Sequence, residues 1–378
     1  MSRQLLAVAG EASGDQHAAR LLAELARIEP GIAAFGLGGD EMRRAGVETL
    51  ADSSEISVVG ITEVAKILPR ARQIFAALLA EAERRRPAAA LLVDFPDFNL
   101  RLARALKRRG IPVIYYVSPQ VWAWRRRRVR AIARDVDRML VLFSFEAEFY
   151  RRHGVEAVHV GHPLVDEVPQ LPQVWDRPDG GGAPFRVALL PGSRRSEVRA
   201  LLPLQLGALG RLAREVPVVG TIVQAPTIPR DLLAAEVDRA GVPAEIVAGD
   251  RFAVIADSHL ALCASGTATL EVGLLGTPMI LCYRLGAWTY LLARLLVRLP
   301  YVGLVNLVLG RRAVPEMIQG AAEPTPLAAE AKRLLSDPSA IAAMRASLAE
   351  LRGRLGEGGA SRRAAREVAS FLERRAAA

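Results

Sequence analysis

The chain alternates short apolar runs with longer stretches in which apolar residues recur every three or four positions. Residues 5–9 (LLAVA), 89–93 (AALLV), 113–117 (VIYYV) and 139–143 (MLVLF) are uninterrupted, and each gives way to a polar turn and then a helical period. Runs of that length without in-out alternation suit strands covered on both faces, so the pattern predicts βαβ units around a parallel sheet. The rhythm stops at 169–184, PQLPQVWDRPDGGGAP, which reads as a linker. It restarts at 185–190, 218–223, 244–247, 259–263 and 279–282. The expectation is therefore two doubly wound α/β domains, 1–168 and 185–378. The second would end, from Pro326, in an Ala/Leu/Arg/Glu-rich helical tail with a weak point at 353–359.

A length of 378 residues agrees with two cores rather than one. The balance of 50 Lys+Arg against 40 Asp+Glu leaves a net charge of +10, and only Lys66, Lys107 and Lys332 are lysines. The arginines are spread over both halves and no recognition motif accompanies them, so nucleic acid is not an expected partner. Two cysteines (Cys263, Cys282) and five histidines supply neither a disulfide framework nor zinc-ligand spacing, and free thiols suit a reducing compartment. The N-terminus enters LLAVAG directly, without the pattern of a signal peptide. The most apolar stretch, 283–309, is broken by Arg284, Arg294, Arg298 and Pro300, so a spanning helix is not expected and the protein reads as soluble or peripheral.

In open parallel sheets, ligands bind beyond the carboxyl ends of the strands, which makes the strand-end turns the candidate chemistry. The first is Gly10-Glu11-Ala12-Ser13-Gly14-Asp15. It is no dinucleotide fingerprint, and Asp15 reads equally as a helix N-cap. The next is Asp94-Phe95-Pro96-Asp97-Phe98-Asn99, two carboxylates three apart, suited to one capping acid and one general base. Ser118-Pro119-Gln120-Val121-Trp122-Ala123-Trp124 leads into Arg125–Arg128, where aromatics beside arginines suit sugar faces, acyl chains or stacked bases, or else a solvated basic helix face with Trp122 closing the core. His162 precedes Pro163 in GHPLVD and reads as structural or ligand-binding. In the second half, Pro191-Gly192-Ser193-Arg194-Arg195-Ser196-Glu197 and Ser265-Gly266-Thr267-Ala268-Thr269-Leu270-Glu271 are small-residue turns entering helices. They offer backbone N–H groups, hydroxyls and Arg194 to phosphate oxygens, with Glu271 placed to accept a ribose hydroxyl. No P-loop is present.

Taken in order, GEASGD (10–15), DFPDFN (94–99), SPQVWAW (118–124), GHPLVD (161–166), LLPGSRRSEV (189–198), SGTATLE (265–271) and the stretch from YR (283–284) through YVGLVN (301–306) to VPEMIQ (314–319) resemble the lipid-A-disaccharide synthase family of membrane-associated glycosyltransferases. The resemblance implies a GT-B architecture, two Rossmann-like domains facing across a cleft, with the nucleotide sugar held mainly by the second. It implies transfer from UDP-2,3-diacylglucosamine to 2,3-diacylglucosamine 1-phosphate (lipid X) with inversion, giving the β-1′,6-linked disaccharide 1-phosphate and UDP. Carried over residue by residue, it gives the base role to Asp97, with Asp94 and Glu11 as alternatives. Leaving-group and phosphate binding go to Arg194, Ser193, Ser265, Gly266 and Thr267, and ribose or uracil contacts to Glu271, Asn306 and Glu316. No metal or other cofactor is expected.

Acylated substrates further imply contact with an anionic inner-membrane surface from the cytoplasmic side. The stretches 58–79 and 288–305, dense in apolar residues and dotted with cations, are the candidates, each also readable as an ordinary buried helix. Relatives imply a homodimer with exchanged C-terminal segments. The competing reading keeps the fold and changes the substrate: another UDP-GlcNAc enzyme of the GT-B class, a soluble transferase or a 2-epimerase.

Overall fold

A computed structural model describes residues 3–56, 64–122, 128–172, 183–284, 286 and 300–377. The chain forms two units, Met1–Pro163 with Leu355–Ala378, and Leu164–Arg354.

In the first unit, seven strands form one parallel sheet: β1 Gln4–Ala9, β2 Ala33–Gly38, β3 Glu48–Asp52, β4 Ala89–Val93, β5 Val113–Tyr116, β6 Arg138–Val141 and β7 Ala157–His159, in the order β3-β2-β1-β4-β5-β6-β7. The central strands β4 and β5 are buried along their whole length, as their apolar runs require. The helix Val64–Arg85 turns Ile74 and Leu78 into the core, with Ile67, Ala71, Phe75 and Leu79 packed against it. In the 58–79 stretch, residues 67–79 are thus engaged by the core, and among the large apolar side chains described there only Leu68 is exposed. Residues 58–63 of the first candidate and 288–299 of the second lie outside the described residues.

In the second unit, β8 Phe185–Leu190, β9 Val218–Val223, β10 Ala244–Val247, β11 Leu260–Ala264, β12 Met279–Tyr283 and β13 Glu316–Ile318 form a parallel sheet in the order β10-β9-β8-β11-β12-β13. Most of the predicted linker, 173–182, lies outside the described residues.

The tail differs from the expectation. The helix Pro338–Leu355 belongs with the second unit up to Arg354, but the helix Ala360–Ala376 packs on Ala12–Ile28 of the first. The turn between the two helices uses Gly356 and Gly359 at φ +96° and +86°, which only glycine adopts freely. The Arg363 guanidinium then donates to the carbonyls of Val160, Glu357 and Gly358, stitching the tail to the end of β7. An apolar helical period says that a segment has a partner face, not which one.

Candidate active site

Both sheets reverse their winding at one place: between β1 and β4 in the first unit, and between β8 and β11 in the second. The turns leaving a reversal diverge to opposite faces and open a crevice at the carboxyl ends of the strands. The four turns that do so are Gly10–Glu11, Asp94–Pro96, Pro191–Arg194 and Ser265–Thr267, so topology places most of the sequence-predicted residues at two switch points.

In the first unit the turn after β4 is an unusual elbow. Asp94 and Phe95 are both left-handed, at φ +48°, before Pro96 starts the helix Pro96–Lys107. Non-glycine residues persist in this region only where their surroundings hold them. Here Asn99 Nδ2 donates to the carbonyls of Val93 (3.1 Å) and Asp94 (2.8 Å), and the buried Tyr115 hydroxyl donates to the same Asp94 carbonyl at 2.6 Å. Gly10 makes room for the elbow, since a Cβ there would meet the Phe95 ring at 2.3 Å. The Asp94 carboxyl is pushed up to about 6 by burial, with the nearby Glu11 charge adding to the effect. Asp97, in the first turn of its helix, is 72% exposed and paired to Arg128 at 2.5 Å. Glu11 stands at the N-cap of Ala12–Ile28.

Asp15 does not cap its own helix. It lies buried inside Ala12–Ile28 and accepts from the N–H groups of Gly39 (2.7 Å), Glu41 (3.0 Å) and Met42 (3.2 Å), closing the start of the helix Asp40–Arg44. Trp122 is also structural: its Nε1–H donates to Glu146 at 3.0 Å, as does the Ser118 hydroxyl at 2.8 Å, so one buried carboxyl fastens the loop after β5. Burial pushes that Glu146 carboxyl up to about 7. His162 is buried against Phe143 and held down to about 3 by burial, with the neighbouring His17 and His159 contributing, so it stays neutral. Trp124 lies outside the described residues.

In the second unit, Gly192 at φ +114° turns the chain so that Glu197 folds back onto the N–H groups of Ser193 (3.1 Å) and Arg194 (3.2 Å). These donors, expected to be open to phosphate, are occupied by a carboxylate of the same helix, Arg195–Leu212. The Arg194 side chain is 80% exposed and touches Glu197 at 3.3 Å. After β11, Ser265 donates its N–H to Cys282 and its hydroxyl to Val302. Among the described residues no partner takes the N–H of Gly266 or Thr267, the latter at the N-cap of Ala268–Leu274. Glu271 is paired with Arg251 through two contacts of 3.2 and 3.3 Å.

Asn306 and Glu316, expected at the ribose or uracil, are joined to each other and to the 300–316 loop. Asn306 is fully buried: its amide donates to the Val314 carbonyl and Glu316, and its oxygen accepts from Ala313 and Val314. Glu316 accepts from the N–H groups of Val302 and Gly303 at the start of the helix Leu304–Leu309. The pair shapes the 300–316 loop near Ser265. Asn99, Tyr115, Glu146 and Glu197 were not singled out from sequence. Their signal is only a polar residue one turn into the helix after a strand-end turn, or a Tyr in an apolar strand.

Solved structures share the fold. MurG from Acinetobacter baumannii aligns with 99% of this chain and 100% of its own at a TM-score of 0.60 and 14% identity. A UDP-GlcNAc 2-epimerase from Neisseria meningitidis, solved with UDP-GlcNAc, aligns with 98% of this chain and all of its own at 0.60 and 10%. Two parallel Rossmann-like sheets, each with its switch-point turns, therefore define a protein of the GT-B class. The relatives in sequence are more specific. Lipid-A-disaccharide synthases from Myxococcus xanthus and Anaeromyxobacter dehalogenans are 46% and 48% identical, with 98% of this chain covered in each case and 97% and 98% of theirs. The family model for lipid-A-disaccharide synthetase matches residues 5–369, and the chain belongs to that family.

Proposed function

We propose that the protein is the hexosyltransferase that joins UDP-2,3-diacylglucosamine to 2,3-diacylglucosamine 1-phosphate, forming the lipid A disaccharide 1-phosphate and UDP. Family membership carries this reading. The supporting chemistry is the division of charge between the two switch points: carboxylates on the first unit, hydroxyls, N–H groups and Arg194 on the second.

In this reading Asp97 takes the proton of the acceptor's C6 hydroxyl. Its carboxylate, though paired with Arg128, lies mostly at the surface, within reach of a bulky diacylated sugar, whereas Asp94 is half-buried and its main-chain carbonyl is tied to Asn99 and Tyr115. The hydroxyl oxygen attacks C1 of the donor, the bond from C1 to the diphosphate breaks, and the electron pair leaves with UDP. Negative charge then grows on the diphosphate, which this reading assigns to Arg194, Ser193, Ser265 and the N–H groups of Gly266 and Thr267, with Ser265 exchanging its hydroxyl contact to Val302 for the phosphate. Glu271, Asn306 and Glu316 act behind them by holding Arg251 and the 300–316 loop in place.

No helix among the described residues is long and apolar enough to cross a membrane. We place the enzyme peripherally on the cytoplasmic face of the inner membrane because both substrates carry acyl chains. The homodimer with exchanged tails would put the Ala360–Ala376 helix of one copy on Ala12–Ile28 of the other, and light scattering tests it. The catalytic reading is tested by UDP release in detergent micelles. Release from the acylated donor that depends on the acceptor supports it. Turnover of plain UDP-GlcNAc without an acylated acceptor would instead make the protein an epimerase or a soluble transferase.

A further inference from the structure

The Asp97–Arg128 pair poses a chemical problem for the reaction just proposed, on which this inference rests. A carboxylate oxygen that accepts from a guanidinium is not presented to a substrate hydroxyl, yet the two are joined at 2.5 Å. The helices that carry them, Pro96–Lys107 and Arg128–Asp135, pack side by side. Around the buried Tyr115 hydroxyl, Asp94 and Asp97 act as negative neighbours and Arg128 as the positive one, so all three charges share one locality. Glu11 adds a third carboxylate close to Asp94. The ensemble is polarised, with three carboxylates and one guanidinium at its edge.

The acceptor is polarised in the same way. It offers a neutral hydroxyl on C6 and an anionic phosphate on C1, and these groups project from the two corners of the ring that flank the ring oxygen. A base that receives the C6 proton therefore has to lie beside whatever cation holds the phosphate. We propose that Arg128 binds the acceptor's 1-phosphate and that, in taking it, Arg128 releases Asp97 to act on the C6 hydroxyl. The exchange is favourable in kind. An ion pair in which the carboxylate is mostly exposed contributes little, whereas phosphate presents several oxygens to the forked guanidinium. The carboxylates of Glu11, Asp94 and Asp97 repel a phosphate placed at the other end, so the sugar enters in one orientation. The base is thereby unmasked only when an acceptor carrying the right anion is in place.

The experiment compares the 1-phosphate acceptor with its dephosphorylated counterpart, 2,3-diacylglucosamine, in wild type and Arg128→Gln. The wild type should prefer the phosphorylated acceptor. In the variant, KM for that acceptor should rise about tenfold or more, donor KM should stay unchanged, and the preference should collapse. An Arg128→Gln protein that is folded by its melting curve and keeps the wild-type preference overturns the proposal. A second measurement needs no variant: N-acetylglucosamine 1-phosphate should inhibit competitively against the acceptor at concentrations where N-acetylglucosamine does not. Equal inhibition by the two sugars contradicts it. If the wild type makes no disaccharide from either acceptor, it is the functional reading that fails, and that outcome is distinct from both.

Discussion

The two switch points solve the same topological problem with opposite chemistry. In the first unit, non-glycine residues hold left-handed backbone at the strand ends: Asp94 and Phe95 after β4, and Val117 after β5. Side chains from neighbouring elements restrain the first two, and three carboxylates cluster nearby. In the second unit the corresponding turns use glycine, Gly192 at φ +114°, followed by hydroxyls and an exposed arginine. Glycine lets a backbone come close to a ligand; a strained Asp instead fixes a side chain in place. In the proposed reading this difference divides the labour: the second unit meets the donor's phosphates with turns that glycine shapes, and the first aims acids at the acceptor hydroxyl.

The largest effect that would sharpen this contrast is loss of the base. Asp97→Asn should lower kcat by roughly 10²- to 10⁴-fold. Asp94→Asn should keep at least about a tenth of wild-type turnover while removing any inflection near pH 6, since the raised Asp94 carboxyl ionises there. A loss of that size in Asp94→Asn, with Asp97→Asn keeping most of its turnover, would move the base role to Asp94. Next in size is Arg194→Ala, which removes a charged donor from the second unit. UDP affinity should fall roughly tenfold to a hundredfold, read by calorimetry.

The glycines test the same contrast from the backbone. Gly10→Ala places a methyl against Phe95 and should cost about 1–3 kcal/mol of stability, together with turnover. Gly192→Ala, whose Cβ would meet Glu197 at 2.5 Å, should instead weaken UDP binding. If both substitutions produced the same kinetic defect, the two turns would not have separate tasks.

The smallest effect concerns pH and stability. Glu146 keeps its proton in the folded protein up to about pH 7, while the unfolded chain releases it near the ordinary 4.5. Because the folded state binds the proton more tightly, this stabilisation is complete below about pH 4.5 and is lost as pH rises through 7. The loss is at most about 3 kcal/mol. Glu146→Gln should flatten the pH dependence of Tm over that interval, and an unchanged slope would mean that another group is responsible.

Much of this was legible in the chain because doubly buried parallel strands write themselves as apolar runs. Residues 89–93, 185–190, 218–223 and 244–247 are strands with those limits. What stayed hidden has physical reasons. β2, AAFGLG, carries two glycines because a Cβ at Gly36 would strike the Ala7 carbonyl at 2.0 Å, and its pairing with β3 shifts register at that place. β7 and β13 are three-residue strands at sheet edges, too short to show any period. At the site, motifs located the turns but could not tell a ligand contact from a brace. Asp15 reads by type as the cap of its own helix, and Asn306 and Glu316 as contacts of a ribose or uracil; that Asp15 closes the start of a different helix, and that the other two are hydrogen-bonded to each other, depends on contacts between distant positions.

The most direct test of the central claim, that the donor is held by one unit and the proton is removed by the other, is UDP binding measured alongside turnover in Asp97→Asn and Arg194→Ala. The account predicts a crossed pattern: Asp97→Asn binds UDP as the wild type does and turns over almost nothing, while Arg194→Ala loses affinity for UDP. A loss of UDP binding in Asp97→Asn, or wild-type UDP affinity in Arg194→Ala, would contradict it.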